Sequence, residues 1–357
     1  MIRIGYNNSI KHYGSSTHLE KPERTSYCIE NLKAIYPNDY FINVSEVQTD
    51  YQEQKELALS IIKQVHSPSY LARIEGFKTN FLICRKCEKQ TVITTRRTFD
   101  DFITDYPKCE VFDDIFNMDN MYCYASIDTY FTSHTYQIAM EGVMVLLKLL
   151  NQMSTYNLNS SWGIIRPPGH HCNNDPNGFC VFNNVVIAAH QAQKLGWAKV
   201  LILDVDFHHG DGTQQLLEKI DDPDISFVSI HGHGQNIYPG TGKYSNLDTN
   251  ILNIPISIGL DEKSRSYVTD EFYQNLLVNQ AFPFVHEQNP DFIIVSLGFD
   301  AHRDDPLEGL NITDSTYLFL ASELRKINKP VLFVLEGGYN VTTVARLMAQ
   351  MIKIFEN

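Results

Sequence analysis

Runs of consecutive apolar residues alternate along the chain with stretches in which apolar positions recur every three to four residues, and this rhythm predicts the elements. Apolar runs at residues 1–5, 161–166, 200–203, 225–231, 250–256, 291–300 and 330–339 read as strands. Most show no in-out alternation, as expected of strands covered on both faces of a parallel sheet. Helical spacing predicts helices over residues 25–34, 55–65, 136–153, 184–195, 264–287, 314–327 and 341–355, a turn into a further helix over 66–75, and a helix beginning near Thr213. Strands and helices alternating in this way argue for an α/β fold: one mostly parallel central sheet of about eight strands with helices on both faces, in a single domain over residues 1–357.

The rhythm lapses between residues 76 and 122, which reads as a surface insertion. A basic half (Arg85, Lys86, Lys89, Arg96, Arg97) precedes an acidic half (Asp100, Asp101, Asp105, Glu110, Asp113, Asp114, Asp119), and the two are suited to pair with each other or with a partner. Cys84 and Cys87, with Cys109 and Cys123 downstream, make a candidate structural zinc site. The second pair lacks the Cys-x-x-Cys spacing, so free thiols are the preferred reading.

Chemistry concentrates where apolar strands end. In KVLILDVDFHHGDGT, residues 199–213, the run reverses into Asp204, Asp206, His208, His209 and Asp211, with Gly210 and Gly212 allowing a turn. Ligands of open α/β sheets bind at the carboxyl ends of strands, where this cluster falls. Period-two alternation turns Asp206 and His208 to one side, with Asp204 joining them if the strand stays regular. The mixed oxygen and nitrogen set suits Zn²⁺, with Fe²⁺ or Mn²⁺ as alternatives. A lone Asp-x-His would be better read as a solvated loop, but burying so many acids without a partner is too costly for that here.

Three further strand ends carry reactive groups. Asp300 in SLGFDAHRDD stands where a third metal ligand would, Tyr339 follows the glycines of LEGGYN, and RPPGHH delivers His170 and His171. Three protein ligands leave a metal open to water and a substrate oxygen. His170 and His171 suit proton transfer, Asp204 and Asp211 suit their orientation, and Tyr339 suits hydrogen bonding to an oxyanion. The inventory describes metal-assisted amide hydrolysis. It contains neither the Gly-x-Ser-x-Gly elbow of serine hydrolases nor a P-loop.

Composition narrows the partners. The 42 acidic and 29 basic residues give a formal net charge of −13, which disfavours direct nucleic acid binding and is compatible with a cationic substrate. Seven cysteines without framework spacing fit a reducing, intracellular setting, cytoplasmic or nuclear. MIRIGYNNSI shows no cleavable secretory signal, although signal-independent export stays compatible. The most apolar helical pattern, residues 138–150, is interrupted by Glu141 and Lys148, so no membrane association is expected.

Seven segments, HLEKPER, HSPSYLARIE, RPPGHHCNNDPNGFCVFNN, LDVDFHHGDGT, FVSIHGHGQNIYPGTG, SLGFDAHRDDPL and LEGGYN, together resemble the zinc-dependent histone deacetylase family, with its arginase-deacetylase fold. The resemblance runs in family order from His18 to Asn340 and leaves out the insertion. It implies zinc on Asp206, His208 and Asp300, the paired histidines at His170 and His171 backed by Asp204 and Asp211, and the transition-state tyrosine at Tyr339. It further implies an acyl-lysine tunnel walled by Gly178, Phe179 and Tyr238 with Leu307 at the rim. Arg24 would lie near an internal acetate-release pocket, and a structural K⁺ would use Asp204, Ser229 and backbone carbonyls. LEGGY is similar to class II and bacterial members. Leu307, with Glu308 beside it, stands where polyamine-selective members carry an acid, which favours acetylated protein or peptide substrates, such as histone tails, over polyamines. An acetylpolyamine amidohydrolase, a non-catalytic acetyl-lysine or partner-binding module and an arginase-like di-manganese hydrolase are the alternatives.

Overall fold

The computed structural model describes residues 2–44, 49–85, 88, 90–98, 121–259 and 265–356. Eight parallel strands build the central sheet: β1 (Ile2–Tyr6), β2 (Phe41–Ile42), β7 (Ser160–Ile164), β8 (Val200–Asp204), β9 (Ile225–His233), β10 (Ile251–Ser257), β11 (Phe292–Leu297) and β12 (Val331–Leu335). Their spatial order is β10-β9-β8-β11-β12-β7-β1-β2. The strands whose ends carry candidate chemistry, β8, β11, β12 and β7, are therefore consecutive neighbours at the middle of the sheet. Asp204 sits in register with Ser229 on one side and Ser296 on the other.

The all-apolar runs have the predicted cause: every residue of β7, β8, β11 and β12 is buried. One face is covered by α2 (Tyr51–Val65), α4 (Thr135–Tyr156) and α5 (Asn184–Lys194). The other is covered by α1 (Glu23–Lys33) and by the later helices Asp314–Ile327 and Val341–Glu356. Trp162 of β7 stacks on Phe333 of β12 with ring centroids 3.9 Å apart, locking two functional strands together within the second layer. The region expected as helix over 264–287 contains Asp270–Leu276 and Phe282–Gln288 joined by a wide turn at Leu277–Ala281. Residues 260–264 lie outside the described residues.

Part of the expected insertion is regular. β3 (Thr79–Cys84) and β4 (Gln90–Arg97) form an antiparallel pair that continues through β5 (Met121–Tyr124) to β6 (Tyr130–Phe131). β6 has only two residues, β5 is wholly apolar or aromatic without alternation, and β3 and β4 mix polar and apolar residues, so periodicity alone did not reveal them. Cys84 and Cys123 are buried on β3 and β5. Cys87, Cys109 and the acidic half lie outside the described residues, and with them the four-cysteine zinc site and the pairing of the two halves. Among the described residues no helix is long and apolar enough to cross a membrane.

Candidate active site

At the end of β8 the chain leaves extended geometry. The amide of Asp206 donates to Asp204 Oδ1 at 3.0 Å, closing a tight turn over the last strand residue. Asp204 is thereby turned away from the metal-type cluster, and its Oδ2 lies 3.0 Å from His170 Nδ1. The strand does not stay regular here, so Asp204 does not join Asp206 and His208; it faces His170 instead, beside the histidine pair it was expected to orient.

Asp206, His208 and Asp300 present ligand-type atoms that all lie within 4.8 Å of one another, and all three residues are buried. His208 Nδ1 stands 3.2 Å from Asp206 Oδ1 and 3.0 Å from Asp300 Oδ2. Backbone donors fix the carboxylates. Gly337 N–H reaches Asp206 Oδ2 at 2.8 Å, and Phe207 N–H reaches Asp300 Oδ1 at 2.9 Å. Burial, then the Asp206 charge, pushes Asp300 up to about 7. Burial also opposes the charge of Asp206, yet His170 and His208 hold it well below the usual carboxylate range. Two buried acids and one imidazole converging with free lone pairs are a donor set for a divalent cation, so the residues fit zinc.

His170 and His171 lie side by side with ring centroids 4.0 Å apart. Each Nδ1 faces an acid, Asp204 for His170 and Asp211 at 2.7 Å for His171, so both Nε2 atoms are left toward the cavity. Burial lowers both basicities. For His170 the neighbouring Asp206 and Asp204 override it and hold the group at about 10, whereas His171, additionally disfavoured by the His170 charge, falls to about 4. The turn carrying the pair is held by Glu336, whose Oε2 accepts from Gly169 N at 2.7 Å and His170 N at 3.2 Å. Burial pushes Glu336 up to about 7.

A cavity of about 180 Å³ opens onto this cluster and is lined by His170, His171, Asp206, His208 and Tyr339. Gly178, Phe179, Tyr238 and Leu307 also line it. Gly178 adopts φ +51° and packs on the His171 ring, where a side chain would collide. Phe179 N–H donates to Thr129 Oγ1 at 3.0 Å, which ties the wall to the small sheet. Tyr238 packs edge-on against His171 at 4.9 Å. Burial raises the Tyr339 phenol well above its ordinary value.

Arg24 does not line the cavity. It is fully buried behind the Tyr339 ring, with its guanidinium 4.8 Å from the ring centroid. Arg24 Nε donates to Gly338 O at 2.6 Å, and Nη1 reaches Glu20 Oε1 at 3.2 Å. Glu20 also binds Arg166, and although burial alone would raise its pKa, Arg166 holds it well below the carboxylate range. Ser229, buried opposite Asp204, shares a 2.9 Å hydrogen bond with His231 Nδ1. Three contributors were not singled out from sequence as part of this site, Glu336, the Glu20–Arg166 pair and the cavity-lining acid Asp128, while Glu308 was noted only as the neighbour of Leu307. Only Glu336 carried a usable signal, an acid directly ending an apolar strand.

A parallel eight-stranded sheet, helices on both faces and a metal-type triad at its central strand ends define the arginase-deacetylase fold. The chain belongs to the histone deacetylase family: the model of the histone deacetylase domain matches residues 18–355. Members of this family are zinc-dependent, in keeping with the Asp206, His208 and Asp300 cluster. The chain is 36% identical over 242 residues to Histone deacetylase 14, chloroplastic, of Arabidopsis thaliana, covering 63% of this chain and 54% of that protein. It is 28% identical over 351 residues to Acetylpolyamine amidohydrolase 2 of Pseudomonas aeruginosa, covering 94% and 91%. The crystal structure of the HDA15 HD domain superposes with a TM-score of 0.75 at 24% identity, over 99% of this chain and 91% of that one. Matches to the first three plant deacetylases span 54%, 42% and 44% of those proteins, about half their length.

Proposed function

We propose that this chain is a zinc-dependent hydrolase that removes the acetyl group from N6-acetyl-lysine in proteins or peptides, such as histone tails, releasing acetate and a free lysine amine. The observation that carries the reading is a cavity lined by Asp206 and His208 of the metal-type cluster together with Tyr339 and the histidine pair. The aromatic lining residues Phe179 and Tyr238 suit the aliphatic stem of an acyl-lysine, and Asp206, His208, Tyr339 and the histidine pair supply polar groups for the acetyl amide.

Zinc bound by Asp206, His208 and Asp300 would supply Lewis acidity toward the acetyl carbonyl and an attacking water. Phe179 and Tyr238 hold the lysine stem and exclude water beside it. His171, kept neutral, accepts the proton of the attacking water at Nε2, with Asp211 fixing its tautomer. His170, held by Asp204, keeps a proton at Nε2 for the leaving amine. The Tyr339 phenol donates a hydrogen bond to the developing oxyanion. Arg24, behind Tyr339, orients the ring and borders the route proposed for acetate release. A structural K⁺ is proposed between Asp204 and Ser229, supported by their register in adjacent buried strands. The single catalytic domain of residues 1–357 is proposed on the same grounds as the site, with the 76–122 segment shaping the choice of substrate. Direct nucleic acid binding is not part of this reading, given the net charge of −13. The buried thiols Cys28, Cys172 and Cys180 support a reducing intracellular compartment, cytoplasmic or nuclear.

A second reading, acetylpolyamine hydrolysis, is favoured by the Pseudomonas relative and by two acids in the cavity wall, Asp128 and Glu308. The Glu308 charge is already taken up by Arg265, whose Nη2 lies 2.6 Å from Glu308 Oε2, which leaves Asp128 as the acid facing a substrate. The deciding experiment compares kcat/KM of the zinc-loaded protein on an acetyl-lysine histone-tail peptide and on acetylputrescine. Preference for the peptide upholds the first reading; preference for acetylputrescine replaces it with the second.

A further inference from the structure

We infer that Glu308 is a positioning residue for the metal ligand His208, clamped in place by Arg265; this rests on the zinc reading of the cluster. His208 turns Nδ1 toward Asp206 and Asp300, so in the neutral, ligating imidazole the proton sits on Nε2. That nitrogen faces Glu308 Oε1 at 3.5 Å. A carboxylate on the far nitrogen of a metal-binding histidine fixes its tautomer, stops the ring from rotating and raises the basicity of the ligating nitrogen.

Glu308 is not a loose surface acid that happens to point inward. Its side chain is only 14% exposed and forms part of the cavity wall. Arg265 grips it at two places, with Nη2 on the carboxylate at 2.6 Å and Nη1 on the Glu308 carbonyl oxygen. A guanidinium that holds both the backbone and the side chain of one residue leaves that side chain little rotational freedom. The same guanidinium lies 5.8 Å from the ring centroid of Phe207, the residue preceding His208.

The segment bearing Glu308 is tied to a second ligand. Gly309 N–H donates to the carbonyl oxygen of Asp300 at 3.1 Å, and Leu310 N–H to that of Ala301 at 2.9 Å. Gly309 has φ +55°, which lets the loop fold back on the ligand. One short loop thus carries the ligand Asp300 and the acid that steadies the ligand His208.

The test measures the zinc dissociation constant of the metal-stripped full chain by competition with a chromophoric chelator. Glu308→Gln keeps the shape and removes the charge, and its dissociation constant should rise roughly 10- to 100-fold. Glu308→Asp should recover part of that loss. Arg265→Met, which frees Glu308 without touching His208, should weaken binding in the same direction by a smaller factor, and it decides the matter if Glu308→Gln does not fold. The absorption spectrum of the Co²⁺-loaded protein should change in Glu308→Gln, a signature that a merely structural acid would not produce. Zinc affinity within twofold of wild type in Glu308→Gln, with an unchanged Co²⁺ spectrum, overturns the inference. A wild-type chain that binds no zinc overturns the zinc reading itself, and the inference with it.

Discussion

Tyr339 is placed to donate and to keep its proton while doing so. Its backbone N–H is bonded to Asp305 Oδ2 at 2.6 Å, Arg24 lies against the ring, and burial keeps the phenol neutral. Tyr339→Phe should therefore lower turnover by roughly 10² to 10³ while zinc stays bound, since it deletes one oxyanion donor and no metal ligand. Steady-state kinetics with metal analysis on the same sample check both halves. His66 illustrates the opposite demand, a histidine required neutral. Its Nε2 accepts the Asn183 N–H at 2.9 Å, tying the start of α3 (Pro68–Glu75) to the N-cap of α5. Burial lowers its pKa from 6.5 to about 4. Between those values the unfolded chain binds a proton that the folded chain refuses, so stability falls as the pH drops from 6.5 toward 4 and is unaffected above 6.5. At pH 5 this group alone costs about 2 kcal/mol, and His66→Gln, which retains an acceptor, should flatten the dependence. Urea midpoints at pH 7 and pH 5 for both proteins measure it.

At the scale of elements, the site is a product of how strands end. Gly298 follows β11 directly, and Gly337 follows β12 after Glu336; both glycines lie against the carboxylates, where nothing larger fits. A methyl on Gly337 would stand 2.5 Å from Asp206 Oδ2 and 2.7 Å from Asp300 Oδ2. Gly337→Ala should raise the zinc dissociation constant at least about tenfold by splaying the two acids, as forced contacts of this kind displace side chains; chelator competition reads this directly. The same elements show what was legible beforehand. Strands buried on both faces announce themselves as unbroken apolar runs, and the polar residues that end them stand out, which is why Asp206, His208, Asp300, Tyr339 and the histidine pair could be picked out as candidates. Asp204 would share their side only if the strand ran on past it, and it does not. Asp128 and Glu20 come from parts of the chain distant from the strand ends, and no local period encodes such a return; Glu308 follows Asp300 on one short loop and Arg166 follows the end of β7, but apolar periodicity gives neither a partner. β3 to β6 gave no such signal either, since their composition is mixed or unalternating.

Among the described residues the central strands are covered on both faces, and a cavity of about 180 Å³ lies at their carboxyl ends. Two separate apolar layers flank the strands, so the strand ends are held by the full core rather than by local contacts. The small antiparallel sheet lies beside the opening and reaches the tunnel wall through Thr129 and Phe179. All of it depends on one central claim, that the buried cluster binds the zinc used in amide hydrolysis. The most direct measurement titrates zinc into the metal-stripped protein while following acetate release from an acetyl-lysine peptide. Activity that rises to a plateau at one zinc per chain, and is absent in His208→Ala together with the bound metal, is the predicted result. Acetate release that persists in the metal-free protein, or full zinc occupancy in His208→Ala, would contradict the account.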